Sequence, residues 1–196
     1  PFSMRIITEL LGVPFEDHRD LLDWSHRMVK MYELNTSDQQ AQDAADAAAN
    51  FDSYVRGVIH FNRDEPRGGI VGELVHTEVE GERLTEEEIV STTIVLLNAG
   101  HEATVNTIGN GITAFLNHRD EWHRVVDGWV APAVAVEEMV RWDAPLQLFE
   151  RWVLADDVEV AGTKLNIGDK IFMLCGSDNR DPRAFDDTDA VEAERQ

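Results

Sequence analysis

Residues 85–116 read TEEEIVSTTIVLLNAGHEATVNTIGNGITAFL, and the pattern of this stretch decides the fold. Thr85 and Glu88 have the spacing of a capping box, in which each side chain accepts a hydrogen bond from a free backbone N–H at the start of a helix. Leu84 and Ile89 flank the box as the hydrophobic staple that often accompanies it. Apolar residues then recur at helical spacing to the end of the stretch. The pattern predicts one helix of about thirty residues, about 48 Å long, which is long enough to cross a domain through its centre.

Helical patterns also fill most of the chain before residue 143. After that point, short runs rich in β-formers alternate with turn sequences. The sequence therefore predicts a mainly α protein with a small antiparallel β-sheet, the α+β class, as one incomplete domain over residues 1–196 with a helical part at about 1–143 and a β-rich part at about 144–196. The predicted helices are 4–11, 15–34, 38–61, 85–116 and 132–142, with a loop and one short helix over 63–81, and the predicted strands are 148–153, 158–160 and 170–174.

The charge balance and the apolar runs limit the partners of the chain. It has 38 acidic and 17 basic residues, a formal net charge of -21, which repels nucleic acid and anionic membrane surfaces. The longest apolar run, residues 89–99, is interrupted by polar residues and is far shorter than the roughly 20 residues that a membrane-spanning helix needs. A single cysteine, Cys175, excludes an internal disulfide framework and is typical of a reducing compartment. We therefore predict no nucleic-acid partner and no membrane association.

The middle of the predicted long helix carries the sequence AGHEAT at residues 99–104. Glycine costs about 1 kcal/mol relative to alanine inside a helix, and a buried acid adds a desolvation cost. One interpretation is a helix crossing, where Gly100 allows close approach and Glu102 pairs with a cation; the other is a functional site. His101 and Glu102 would begin a zinc-protease motif, but that motif needs a second histidine where this sequence has Val105. The other histidines show no ligand spacing, so no metal site is predicted.

The sequence LLNAGHEAT, which ends at Thr104, resembles the oxygen-binding groove in the central helix of cytochrome P450 enzymes. The family pattern there is Ala/Gly-Gly-any-Asp/Glu-Thr-Thr/Ser. The resemblance implies that Ala99 and Gly100 face haem and that Glu102 is the acid that relays protons to bound oxygen. Ala103 stands where the family has its proton-relay threonine, and Thr104 follows it. Because an alanine cannot hold a water or hydroperoxide by a hydrogen bond, we expect a substrate hydroxyl or an ordered water to fill that role.

Two further motifs resemble the same family. The segment EMVR at residues 138–141 is similar to the family's Glu-x-x-Arg helix, and NRDP at residues 179–182 is followed by Arg195 at the family's spacing. The resemblance implies a buried triad of Glu138, Arg141 and Arg195 that braces the haem-binding side. Three charges that satisfy one another could tolerate such burial.

The segment PLQLFER at residues 145–151 resembles the strand that passes over the haem in this family. The resemblance implies that Arg151 binds a haem propionate, a role that suits a planar and permanently charged guanidinium. Leu146, Leu148 and Phe149 would then face the substrate cavity.

Cys175 is not the expected iron ligand. The family's ligand lies in a Phe-Gly-x-Gly loop after the position of Arg195, whereas Cys175 precedes Asn179 and lacks that pattern. We expect Cys175 to be a small buried apolar residue. Because the sequence starts at Pro1 without an initiator and stops at Gln196 without a tail pattern, we predict an internal fragment that lacks the iron ligand and is inactive by itself.

The resemblance implies a haem-dependent monooxygenase of the soluble bacterial type, located in the cytoplasm. Such an enzyme binds haem b, takes two electrons from a ferredoxin or a ferredoxin reductase, and inserts one atom of dioxygen into an apolar small-molecule substrate. Two alternatives remain open: a haem peroxygenase driven by peroxide, and a non-enzymatic acidic helical module that binds a basic partner.

Overall fold

Helices make up most of the computed structural model, which describes residues 2–33, 35–65, 67–79 and 81–195. The chain divides into two compact units, residues 1–104 and residues 105–196, and the boundary falls within the helix Glu86–Asn117. Some residues that the sequence predictions include lie outside the described residues: Pro1, Leu34, Pro66, Glu80 and Gln196. In chain order the elements are α1 (Phe2–Leu11), a 3₁₀ turn (Phe15–Asp17), α2 (His18–Val29), a 3₁₀ turn (Lys30–Tyr32), α3 (Asp38–Asp64), α4 (Ile70–His76), α5 (Glu86–Asn117), α6 (Arg119–Val126), α7 (Pro132–Trp142), β1 (Phe149–Trp152), β2 (Val158–Val160), β3 (Thr163–Leu165), β4 (Lys170–Met173) and α8 (Cys175–Asp178).

The long helix predicted from residues 85–116 is confirmed as α5, and its capping box is present. The backbone N–H and the hydroxyl of Thr85 both donate to Glu88 Oε2 at 2.8 Å, and the Glu88 N–H donates to Thr85 Oγ1 at 3.3 Å. The hydrogen bonds from the Thr85 backbone and hydroxyl lower the pKa of Glu88, because they favour the charged carboxylate. That charge also lies at the positive end of the helix dipole, so local chemistry fixes where α5 begins.

In the first unit, α1, α3 and α5 contribute to one apolar core. Met4 and Leu11 of α1, Phe51 and Ile59 of α3, and Leu97 of α5 are each at most 1% exposed. Full burial of a side chain of this kind stabilises a fold by about 1.5–3 kcal/mol. The core therefore fixes the part of α5 that lies just before the AGHEAT sequence.

The turn that ends α1 approaches the start of α4 so closely that both positions need glycine. Gly12 has a φ of 78° and Gly69 has a φ of 103°, values that side chains rarely adopt. A Cβ atom on Gly12 would lie 2.1 Å from the Gly68 carbonyl oxygen, and one on Gly69 would lie 2.4 Å from the Gly12 Cα. Gly12 thus ends α1, as the sequence predicted, and also allows α4 to pack against this turn.

In the second unit, a separate core forms around Phe115 and Ala135, each 1% exposed. Strand β1 pairs antiparallel with β4, with Phe149 opposite Met173, and β2 pairs antiparallel with β3. The predicted α+β class is therefore confirmed, and the described strands form two separate two-stranded sheets rather than one.

The structure corrects the sequence prediction at several elements. The predicted helix over 15–34 is divided into α2 and a 3₁₀ turn at each end of it. The sequence pattern does not predict α6, β3 or α8. Helix α6 is mostly polar, α8 is a single turn of four residues, and β3 has the sequence Thr-Lys-Leu without the two valines that mark β2. Cys175 is only partly buried at the start of α8, so the expectation of a buried cysteine is wrong for this chain. None of the helices in the described part of the chain combines the length and the apolar character of a membrane span.

Candidate functional site

The AGHEAT turn of α5 has an exposed face of small side chains. Ala99 and Ala103 are both exposed and lie one helical turn apart, and Val95, which is 62% exposed, lies one turn before them. Thr104 is exposed as well. Because two successive turns carry only a methyl group on this face, a flat apolar ligand could approach the helix backbone closely.

Gly100 faces another helix instead. A Cβ atom at this position would lie 2.8 Å from Ile7 Cδ1 and 3.3 Å from Ile7 Cγ1, so α1 packs directly against the glycine. This is the close helix approach that the sequence left open as one explanation for a glycine inside a helix. This packing against α1 explains why position 100 is a glycine. Contact between Gly100 and haem stays a prediction.

Glu102 pairs with a histidine of α2. Its Oε1 lies 3.1 Å from His26 Nε2, and 34% of the Glu102 side chain and 51% of the His26 side chain are exposed. The carboxylate is therefore held by a group whose charge depends on pH rather than by a permanent cation. Both partners also remain within reach of solvent protons.

His101 is buried beside this pair. It is 4% exposed, and its Nδ1 shares a hydrogen bond of 2.9 Å with the Ser3 hydroxyl. Burial lowers the pKa of His101; the charge of Glu102 opposes this effect and that of His26 adds to it, so the neutral ring is favoured. Ring nitrogens of His26 and His101 and a carboxylate oxygen of Glu102 all lie within 4.8 Å of one another. Sequence spacing does not indicate this cluster, because its members come from two helices that are far apart in the chain.

The structure brings the three residues of the predicted triad together. Glu138 is 2% exposed and accepts two hydrogen bonds from Arg141, from Nε at 2.6 Å and from Nη2 at 2.9 Å. Arg195 Nε donates to the same carboxylate at 3.2 Å. Two arginines thus surround one buried carboxylate. The group keeps one net positive charge, and backbone carbonyl oxygens stabilise it.

Backbone groups complete this network. The Glu192 N–H donates to Glu138 Oε1 at 2.9 Å. Burial by itself raises the pKa of Glu138, and the hydrogen bonds from Arg141 and from the Glu192 backbone outweigh it, so the pKa lies below its ordinary value. Arg141 also donates to the carbonyl oxygens of Asn179, Thr188 and Ala190. The network therefore ties α7 to the segment 179–192.

Strand β1 carries the predicted propionate ligand and the predicted pocket residues. Arg151 is exposed, its guanidinium carbon lies 3.6 Å from the centre of the Phe149 ring, and Nη1 donates to the Glu150 carbonyl oxygen at 3.1 Å. In the described residues no carboxylate pairs with this guanidinium, which leaves it able to bind an anionic group. Leu146 and Leu148 are 49% and 44% exposed, so both could contact an apolar ligand.

Solved structures define the class of this chain. The fold matches the cytochrome P450 PksS of the Bacillus subtilis bacillaene polyketide synthase with a TM-score of 0.86 at 32% identity, covering 100% of this chain and 49% of that one. It matches P450BioI, solved in complex with an acyl carrier protein ligated to hexadec-9Z-enoic acid, with a TM-score of 0.87 at 28% identity, covering 99% and 50%. The chain belongs to the cytochrome P450 family. No protein-family model matches it.

Curated relatives extend the comparison. The polyketide biosynthesis cytochrome P450 PksS of Bacillus subtilis is 33% identical over 196 residues, which cover 100% of this chain and 47% of that protein. The steroid C26-monooxygenase of Mycobacterium tuberculosis is 35% identical over 196 residues, which cover 100% of this chain and 52% of that protein. The chain therefore spans about half the length of the curated relatives that it matches.

Cytochromes P450 bind haem, with a cysteine thiolate as a ligand of the iron. The Phe-Gly-x-Gly pattern that precedes this cysteine does not occur in the 196 residues, where Cys175 starts the short helix α8. Two features of the chain fit the rest of a haem. In the first unit, the small exposed face at Ala99 and Ala103 suits a flat macrocycle. In the second unit, the guanidinium of Arg151, which has no carboxylate partner among the described residues, suits a propionate.

Proposed function

We propose that the protein containing this chain is a haem-dependent monooxygenase that inserts one atom of dioxygen into an apolar organic substrate. The observation that carries the proposal is the α5 turn, where Ala99 and Ala103 are exposed and the intervening Glu102 keeps 34% of its side chain exposed. Relatives named steroid C26-monooxygenase and methyl-branched lipid omega-hydroxylase support an apolar substrate, because steroids and lipids are apolar molecules.

Different residues of the chain have different roles in haem binding. When bound, a thiolate-ligated haem supplies the activation of dioxygen. Ala99 and Ala103 leave room for the macrocycle on α5, and Gly100 keeps α5 close to α1 through its contact with Ile7. Arg151 binds a propionate through its planar N–H donors, which hold a carboxylate in one orientation.

Glu102 is the residue that we propose to move protons. Its carboxylate takes up a proton from solvent or from the His26 ring and releases it to a water on the side of Ala103. Ala103 offers no hydroxyl, so this water, or a hydroxyl of the substrate, replaces the threonine that the family has at that position. Thr104 follows as an exposed hydroxyl on the same helix.

Leu146, Leu148 and Phe149 form the proposed substrate contacts. Leu146 and Leu148 expose about half of their surface, and burying such side chains against an apolar substrate stabilises the complex and excludes water. A ferredoxin or a ferredoxin reductase is the proposed electron donor.

The proton role of Glu102 is tested by Glu102→Gln in the complete protein. Loss of a positioned acid lowers kcat by about 100-fold or more, so electron-driven product formation should fall by that order while haem content stays unchanged. Glu87→Gln is the matched control, because Glu87 lies on the same helix and 74% of its side chain is exposed. Equal rates for the two variants would refute the assignment of Glu102.

Two alternative functions give different results in the same assays. A peroxygenase would form product with peroxide alone at the rate of the electron-driven reaction. A non-enzymatic acidic module would bind neither haem nor substrate. Product that depends on both dioxygen and an electron donor would support the monooxygenase.

A further inference from the structure

We propose that His26, His101 and Glu102 form a zinc-binding site in the first unit of the chain. One nitrogen of each ring and one carboxylate oxygen lie within 4.8 Å of one another, and His26 Nε2 is 3.1 Å from Glu102 Oε1. Two imidazoles and one carboxylate are a ligand set that zinc takes in proteins, with a fourth position open to water. The three residues come from α2 and α5, so folding brings the set together.

The distances are close to those that zinc needs. Ligand atoms at about 2.1 Å from a tetrahedral zinc lie about 3.4 Å from one another. His26 and Glu102 already meet this separation, and the third ligand atom, from His101, lies within 4.8 Å of both, so the set closes onto zinc if these atoms approach by up to about 1.4 Å. His26 and Glu102 can make this approach together towards the buried His101, because 51% and 34% of their side chains are exposed.

His101 has the surroundings of a metal ligand. Its Nδ1 shares the hydrogen bond of 2.9 Å with the Ser3 hydroxyl, which fixes the ring, so we assign Nε2 to the zinc. Metal-bound histidines usually have their other ring nitrogen hydrogen-bonded in this way.

A neighbouring amide supports a zinc-bound water. Asn98 lies one turn before Glu102 on the same face of α5, and its Oδ1 is buried without a hydrogen-bond donor among the described residues. A water on zinc is a strong donor and would satisfy this oxygen.

Zinc at this site would also control catalysis, a consequence that rests on the proposed function. The metal would occupy the Glu102 carboxylate and prevent it from carrying protons. Zinc would then inhibit product formation, and a chelator would restore it.

The test is zinc binding to the complete protein, measured by competition with a chromophoric chelator and by X-ray absorption at the zinc edge. Loss of a hydrogen bond that supports a metal ligand weakens metal binding by about 10-fold to 100-fold. His26→Ala removes a ligand itself, so zinc binding should weaken by at least that factor. His60→Ala is the matched control, since His60 is also exposed and lies 3.3 Å from Glu86 Oε2, and among the described residues it belongs to no group of three metal-ligating side chains. Far-UV circular dichroism checks that both variants are folded.

Each outcome decides the proposal. An absorption spectrum with two imidazoles and one carboxylate, together with weaker binding in His26→Ala alone, would support the site. Zinc affinity that is the same in wild type, His26→Ala and His60→Ala would overturn it. Zinc binding does not depend on haem, so a protein that binds zinc at these residues but no haem would refute the monooxygenase and keep the zinc site.

Discussion

Glu138 and Arg141 form a two-point ion pair in which both side chains are at most 6% exposed and Arg195 lies on the same carboxylate. Removing one partner of a buried pair leaves an uncompensated charge, which destabilises a protein by about 3–5 kcal/mol. Glu138→Ala should therefore lower the free energy of unfolding by that amount, measured by chemical denaturation of the complete protein. Arg183→Ala is the control, because the Arg183 side chain is 89% exposed in its pair with Asp181, and solvent-exposed ion pairs contribute little to stability. Similar decreases in the free energy of unfolding for the two variants would show that the buried network contributes no more to stability than an exposed ion pair.

The same carboxylate predicts a pH dependence. The folded-state pKa of Glu138 lies below its ordinary value of 4.5, so the unfolded chain binds a proton more readily. The contribution of Glu138 to stability is therefore complete above pH 4.5 and is lost as the pH falls through the lower folded-state pKa. The difference in unfolding free energy between wild type and Glu138→Gln should shrink over that range. A difference that stays constant with pH would contradict the depressed pKa.

Two glycines of α5 should respond in opposite ways to alanine. Gly109→Ala should raise the free energy of unfolding by up to about 1 kcal/mol, because nothing lies within 4 Å of a Cβ there and alanine favours the helix. Gly100→Ala should lower it, because the new methyl group would lie 2.8 Å from Ile7 Cδ1 and 3.3 Å from Ile7 Cγ1, and Ile7 is buried and cannot move away. Overpacking typically costs about 1–3 kcal/mol, which outweighs the same helix preference of alanine. Ile7→Ala in the Gly100→Ala background should relieve the clash. Stabilisation by Gly100→Ala would mean that α1 does not pack against this turn.

The Ala103→Thr variant tests how protons are delivered to the bound dioxygen. We expect this variant to leave the coupling of electrons to product unchanged or lower on the native substrate, because the new hydroxyl displaces the proposed water beside Glu102. The measurement is product formed per electron donor consumed. Improved coupling would show that the missing hydroxyl is a defect rather than an adaptation.

Local patterns predict α5 well because the four-residue capping box from Thr85 to Glu88 fixes its start and one long apolar period fixes its course. The group of His26 and Glu102 could not be predicted in the same way, because its geometry depends on how α2 packs beside α5. The contact between Glu138 and Arg195 spans 57 positions and followed from family resemblance rather than from any local spacing. Local chemistry thus defines elements, whereas sites assembled from distant elements need the fold.

The reduced carbon monoxide difference spectrum of the complete protein tests the monooxygenase most directly. A haem with a thiolate ligand, set against the small face at Ala99 and Ala103, should give the absorption band that is characteristic of that ligation. A spectrum without haem, or with the band of a histidine-ligated haem, would contradict it.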